Sequence, residues 1–122
     1  MMKSYPILKR SYRMLQEKQI KSLEGYLGFA KRKRSIYVGL KMEEMLARKK
    51  ACYLFLLPSC SEKKEEELSH YQDNNPDLVI YRYQGKAVDL KEMLGYELLN
   101  AFCVSDVHLA KAILDVLKAD ID

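Results

Sequence analysis

The sequence predicts an α/β fold in which a four-stranded, mixed and mostly parallel sheet lies between helical layers. Short apolar runs of strand length alternate with longer segments of helical periodicity, in the order α-β-α-β-α-β-α-β-α. The strand segments are continuously apolar rather than alternating, which suits strands covered on both faces, as in parallel sheets. Gly39, Gly85 and Gly95 punctuate the junctions.

Taken in order, residues 1–15 form a basic, tyrosine-bearing extension interrupted by Pro6, and residues 16–122 form one domain. From Gln16 to Lys33, Ile20, Leu23, Tyr26, Leu27 and Ala30 recur at helical spacing. A short β-branched and aromatic stretch, 36–38, follows and ends at Gly39. Leu40, Met42, Met45 and Leu46 mark a helix over 40–50. The apolar run 52–57 is a strand stopped by Pro58. Ser59 and Glu62 have capping-box spacing and predict a charged helix running to Asn74-Asn75-Pro76. Strand 78–83 ends at Gly85, and a short helix from Asp89 to Leu94 is closed by Gly95. Strand 101–105 leads to Asp106, which caps a last helix with Val107, Ala110, Ile113, Leu114 and Leu117 on one face. Mixed strand directions are expected because the short first strand need not run with the rest.

Composition excludes several classes. With 48% hydrophobic and 31% charged residues, the 122-residue chain has the balance of a globular protein. Its longest apolar run is far below the roughly 20 residues that span a bilayer, so no membrane partner is expected. No signal-peptide pattern opens the chain, and three cysteines without ligand spacing argue against a disulfide framework, so a cytoplasmic location is expected. The net charge of +4 conceals an asymmetry. Residues 1–60 hold 14 Lys/Arg against 4 Asp/Glu, a balance of +10, whereas residues 61–122 hold 7 against 13, a balance of −6. Such a chain can turn one basic face to a polyanion.

The basic run Lys31-Arg32-Lys33-Arg34 sits where the first helix gives way to the first strand. Cations there complement the helix dipole and can also meet phosphate. Gly39 follows a strand and opens a helix, whose free N–H groups suit an anion. The phosphate-loop, dinucleotide, nucleophile-elbow and H-E-x-x-H patterns are all missing, so no enzyme, cofactor or metal is expected. His70 and His108 read as solvated side chains. Cys52 and Cys103 read as small buried hydrophobes. Cys60 stands beside a helix N-terminus, which can lower a thiol pKa, but it has no base partner and reads as inert. Tyr53, Tyr81 and Tyr83 belong to strands and pack against helices; Tyr5, Tyr12 and Tyr37 lie among cations, where base stacking is conceivable.

The segment from Leu27 to Gly39 (LGFAKRKRSIYVG) resembles the L-G-L-A-x-R-A-G-K-L-V-x-G opening of the L-seven-Ae ribosomal protein family, especially its small bacterial members. Residues 51–57, 89–95, 101–106 and 109–113 resemble that family's later strands and helices in order, so the resemblance covers about residues 20–118. It implies a three-layer α/β/α sandwich that binds structured RNA, typically kink-turns, without catalysis. Its RNA-gripping G-x-N-E-x-x-x-K signature falls on Gly39, Lys41, Met42 and Met45, of which only the glycine matches. Arg34 and Lys91 stand where the family has glycines. Leu98 and Leu99 occupy the second RNA-facing loop. An Asn and a Glu can hydrogen-bond guanine edges and Met cannot, whereas Lys41 and residues 31–34 still hold phosphate, which carries affinity without sequence.

The expected function is a non-enzymatic RNA-binding protein with relaxed specificity. Its implied partners are structured RNA, ribosomal or other, and the ribosome. The competing reading is a protein-interaction module that has lost RNA recognition and offers Met42, Met45, Leu98 and Leu99 as an apolar patch.

Overall fold

Helix α1 (Glu17–Arg32) leads into β1 (Ile36–Tyr37), α2 (Gly39–Ala47), β2 (Tyr53–Leu56) and α3 (Glu62–Ser69), which tightens into a 3₁₀ turn over His70–Asp73. The chain continues through β3 (Val79–Arg82), α4 (Leu90–Leu94), β4 (Ala101–Val104) and α5 (Val107–Lys118). The computed structural model describes residues 17–85 and 87–120; the expected N-terminal extension lies outside them. Each strand falls inside the span expected from its apolar run. Asp89 and Asp106 are N-caps, accepting from the Glu92 and Leu109 amides.

One cap differs from expectation. Ser61, not Ser59, caps α3, its hydroxyl accepting from the Lys64 amide. The Cys60 amide bonds the Leu57 carbonyl, so Pro58-Ser59 form a turn and the helix starts two residues later. Ser59 instead donates to the Leu99 carbonyl at 2.9 Å.

The sheet order is β1-β4-β2-β3. β2 and β3 pair in parallel, while β4 is antiparallel to both its neighbours. Three of the four strands therefore share a direction, as expected, but the reversed strand is the interior β4 rather than the short β1. The chain leaving β3 passes through α4 and re-enters the sheet from the end it left, running back between β1 and β2. β4 is nonetheless fully buried, because helices cover both faces. A continuous apolar run reports two-sided burial and says nothing of strand direction.

Alternation along β2 divides the core in two. Phe55 faces α1, α4 and α5, meeting Leu23, Leu27, Leu90, Leu94 and Ile113, and stacks on Phe102 with ring centres 5.0 Å apart. Leu54 and Leu56 face α2 and α3, among Met42, Leu46, Leu68 and Cys103. Burying each such side chain is worth about 1.5–3 kcal/mol, and the two layers together close the three-layer sandwich. Tyr83 is buried with Asp120, to whose carboxylate its hydroxyl donates; burial and that bond raise its pKa. Cys103 is buried, its thiol pushed up to about 12 by desolvation. Burial also raises Cys60, the reverse of what its place before a helix suggested, and Cys52.

Candidate nucleic-acid interface

Because β1 and β4 are antiparallel, the turn that leaves β1 and the loop that enters β4 meet at the same end of the sheet. Between them lies a groove of about 350 Å³ lined by Val38, Gly39, Met42, Glu43, Lys64, Tyr96 and residues 98–101. Gly39, at φ 60, turns the chain into α2. The Ser59 hydroxyl and the Leu57 amide, bonded to the Leu99 and Asn100 carbonyls, pin the opposite wall.

The fold thus gathers Gly39, Met42, Leu98 and Leu99, which lie up to 60 residues apart in the sequence, around one groove. They are not equally presented. Met42 and Leu99 are buried, Met45 is half-buried against the α2–α3 core, and Leu98 is 90% exposed. The four therefore do not form the apolar patch that the interaction-module reading expected, since a side chain spent on the core cannot also face a partner. Lys41 lies on the exposed side of α2, 3.5 Å from Glu44, and does not line the groove. Leu40, which helical spacing grouped with Met42, Met45 and Leu46 as an apolar position, is instead 87% exposed beside Gly39.

The two charges that line the groove are paired. Lys64 Nζ reaches Glu43 at 3.3 Å, and the Tyr71 hydroxyl donates to the same carboxylate. Burial and the Glu43 charge raise the Tyr71 pKa. No local sequence pattern marked Glu43, Lys64, Tyr96 or Asn100, because three different elements bring them together.

The basic turn lies at the other end of β1. Of its four cations, Lys31 donates to the Leu94 carbonyl at 2.9 Å, closing the C-terminus of α4. Lys33 stands 2.5 Å from Asp106, and the Lys33 ammonium, together with the Leu109 amide, holds that carboxyl below its usual range. Arg32 and Lys33 both lie over the Phe29 ring, at 5.8 and 5.6 Å. Arg34 is exposed and has no side-chain partner among the described residues. Its backbone is left-handed, at φ 58. That is the conformation glycine adopts most readily, and glycine is what the resembling family pattern carries at this position.

Among the described residues, no group of His, Cys, Asp and Glu side chains could hold a metal ion, and no helix is long and apolar enough to cross a membrane. Tyr37 is half-buried against the α2–α3 core, whereas Tyr5 and Tyr12 lie outside the described residues.

No family model matches the chain, and no curated protein does. Solved structures do. A protein of unknown function from Bacillus halodurans superposes with a TM-score of 0.64 at 14% identity, over 78% of this chain and 95% of that one. A 15.5kD RNA binding protein from Giardia lamblia superposes with a TM-score of 0.51 at 12% identity, over 88% of this chain and 91% of that one. At such identities the likeness is one of fold.

Proposed function

We infer that this chain is a non-enzymatic RNA-binding protein that recognises structured RNA, ribosomal or kink-turn-like, with relaxed specificity. The observation that carries the reading is the meeting of the β1–α2 turn and the α4–β4 loop on one groove. These are the two segments that, by resemblance to the L-seven-Ae family, would face RNA. The fold shared with the Giardia RNA-binding protein supports the same reading.

The groove's chemistry favours shape over base edges. Leu98 and Tyr96 offer contact area and Met42 offers no hydrogen bond, while Lys41, outside the groove on the exposed side of α2, can add a phosphate contact. A bidentate base contact is worth about 1–3 kcal/mol in DNA readout, so a groove without one discriminates weakly. Affinity for an intact kink-turn and for the same RNA with its G·A pairs replaced should differ by less than about tenfold at one fixed salt concentration. A hundredfold preference would mean that other residues read those bases.

One observation favours a second reading, a protein-contact module. Leu98, on the groove's wall, and Leu40, next to Gly39 in the chain, stand 90% and 87% exposed. Cross-linking in cells, with the bound RNA sequenced and the bound proteins identified, separates the two.

A further inference from the structure

We propose that the opposite end of the sheet, where Arg34, Lys49 and Lys50 emerge beside the end of β4, is a second RNA contact that grips the phosphate backbone without reading sequence. The proposal rests on the RNA-binding reading above and adds to it a surface separate from the groove.

The topology creates this surface. Ile36 of β1 and Tyr53 of β2 both pair with Val104, one on each side of β4. Backbone bonds extend both pairings to the sheet's rim, from the Ser105 amide to the Ser35 carbonyl and from the Cys52 amide to the Val104 carbonyl. The segments entering β1 and β2 therefore reach the rim about 10 Å apart, two strand spacings. One carries residues 31–34 and the other Arg48, Lys49 and Lys50, so two cation clusters separated in sequence border one edge.

Both segments use the same device. At the end of α1 the Arg34 amide bonds the Lys31 carbonyl and the Ser35 amide bonds the Ala30 carbonyl. At the end of α2 the Lys49 amide bonds the Leu46 carbonyl and the Lys50 amide bonds the Met45 carbonyl. Each is a Schellman cap, whose left-handed residue is usually glycine. Here those residues are Arg34 at φ 58 and Lys49 at φ 60, the only non-glycine residues with positive φ among the described ones. The third cap of this kind, at the end of α4, carries Gly95 at φ 85. A cation in a position that disfavours side chains stores strain that the fold alone does not require.

The charges are also available. Arg48 is paired with Glu44 and Lys33 with Asp106, but Arg34, Lys49 and Lys50 are exposed and have no acidic partner among the described residues. Lys49 borders a hollow with Glu67 and His70 but forms a salt bridge with neither; Glu67 lies 4.0 Å from Lys64 and His70 lies 3.3 Å from Asp73. Asp106, the acid nearest the middle of this edge, is already neutralised by Lys33. Phe29, 48% exposed on the last turns of α1 between Arg32 and Lys33, adds a ring on which a base can stack.

The test uses the full chain and a fluorescent 12-nucleotide poly(U) RNA, titrated at several salt concentrations. The variant R34G/K49G/K50Q removes three charges while placing glycine at both left-handed positions, so its Tm should stay level or rise by a few degrees. The control K63Q/K111Q/K118Q removes three exposed lysines elsewhere. At a single-strand slope of about 0.7 per phosphate contact, the first variant should flatten log K against log salt by about 2, and the control should leave it unchanged. Equal slopes for wild type and R34G/K49G/K50Q, with wild-type binding intact, would overturn the second contact and leave RNA binding at the groove. Equal losses in both variants would reduce the surface to net charge and overturn it too. A wild type that binds neither poly(U) nor a kink-turn RNA would overturn the RNA-binding reading itself.

Discussion

The two ends of the sheet solve the same problem, closing a strand–helix junction, with opposite chemistry. At the groove end the side chains are apolar or paired: Met42 and Leu99 are buried, Lys64 holds Glu43, and Lys41 lies against Glu44. At the β4 exit, Arg34, Lys49 and Lys50 have no such partner among the described residues, and two of them occupy left-handed caps. Shape is concentrated at one end and charge at the other. An RNA that uses both would be positioned by phosphates at the β4 exit and discriminated weakly at the groove.

The largest test of this contrast lies in the groove floor. Met42→Glu, which would restore the carboxylate of the resembling family's signature, places a charge at a residue only 3% exposed. It should cost about 3 kcal/mol or more in urea denaturation unless the carboxylate turns into the groove and finds donors. Leu98→Glu, on the exposed wall, should change stability by less than about 0.5 kcal/mol. A tolerated Met42→Glu would show that the floor is accessible and that this end is less apolar than its packing implies.

The caps come next. Gly95→Ala forces a side chain into the left-handed region and should destabilise by about 1–2 kcal/mol. Arg34→Gly and Lys49→Gly relieve the same conformation and should each stabilise by up to about 1 kcal/mol, after the greater chain entropy of glycine is subtracted. If either glycine variant lost stability, the cation would be contributing to the fold at that cap, and the division of labour between the two ends would weaken.

The smallest effects are titrations, one at each end. At the β4 exit, Lys33 and the Leu109 amide depress the Asp106 pKa. A depressed carboxyl stabilises above its unfolded value of 3.8 and loses that contribution as pH falls through the lower folded value. Thermal denaturation of Asp106→Asn from pH 6 to 3 should therefore show a shallower acid decline than wild type. At the groove end the Tyr71 hydroxyl is raised by burial and Glu43. Its contribution is complete below its unfolded value of 10.0 and fades as pH rises through the folded value, so Tyr71→Phe should flatten the alkaline limb. Profiles that respond at the wrong limb would reassign which end each group supports.

Most of what was legible in the sequence lies within a few residues of its cause. The apolar periods of α1 and α5, the continuous runs of β2 and β4, the Asp106 cap and the Gly95 stop each depend on neighbours one or two turns away. Ser59 misled because two serines stand within cap distance of the same helix, and only the bond from Ser59 to the Leu99 carbonyl, 40 residues away, decides between them.

By itself, then, the chain determined its elements, the two-sided burial of β2 and β4 and the asymmetry of its charge, because side-chain period, cap chemistry and ionisation are local properties. Only the tertiary structure decided which strand runs backwards, that Met42 faces the core, and that residues 31–34 and 48–50 share one edge. The reason is the pairing of β1 and β2 on either side of β4. Strand partners are chosen by two-sided packing across the whole domain, and a single segment carries no record of its partner.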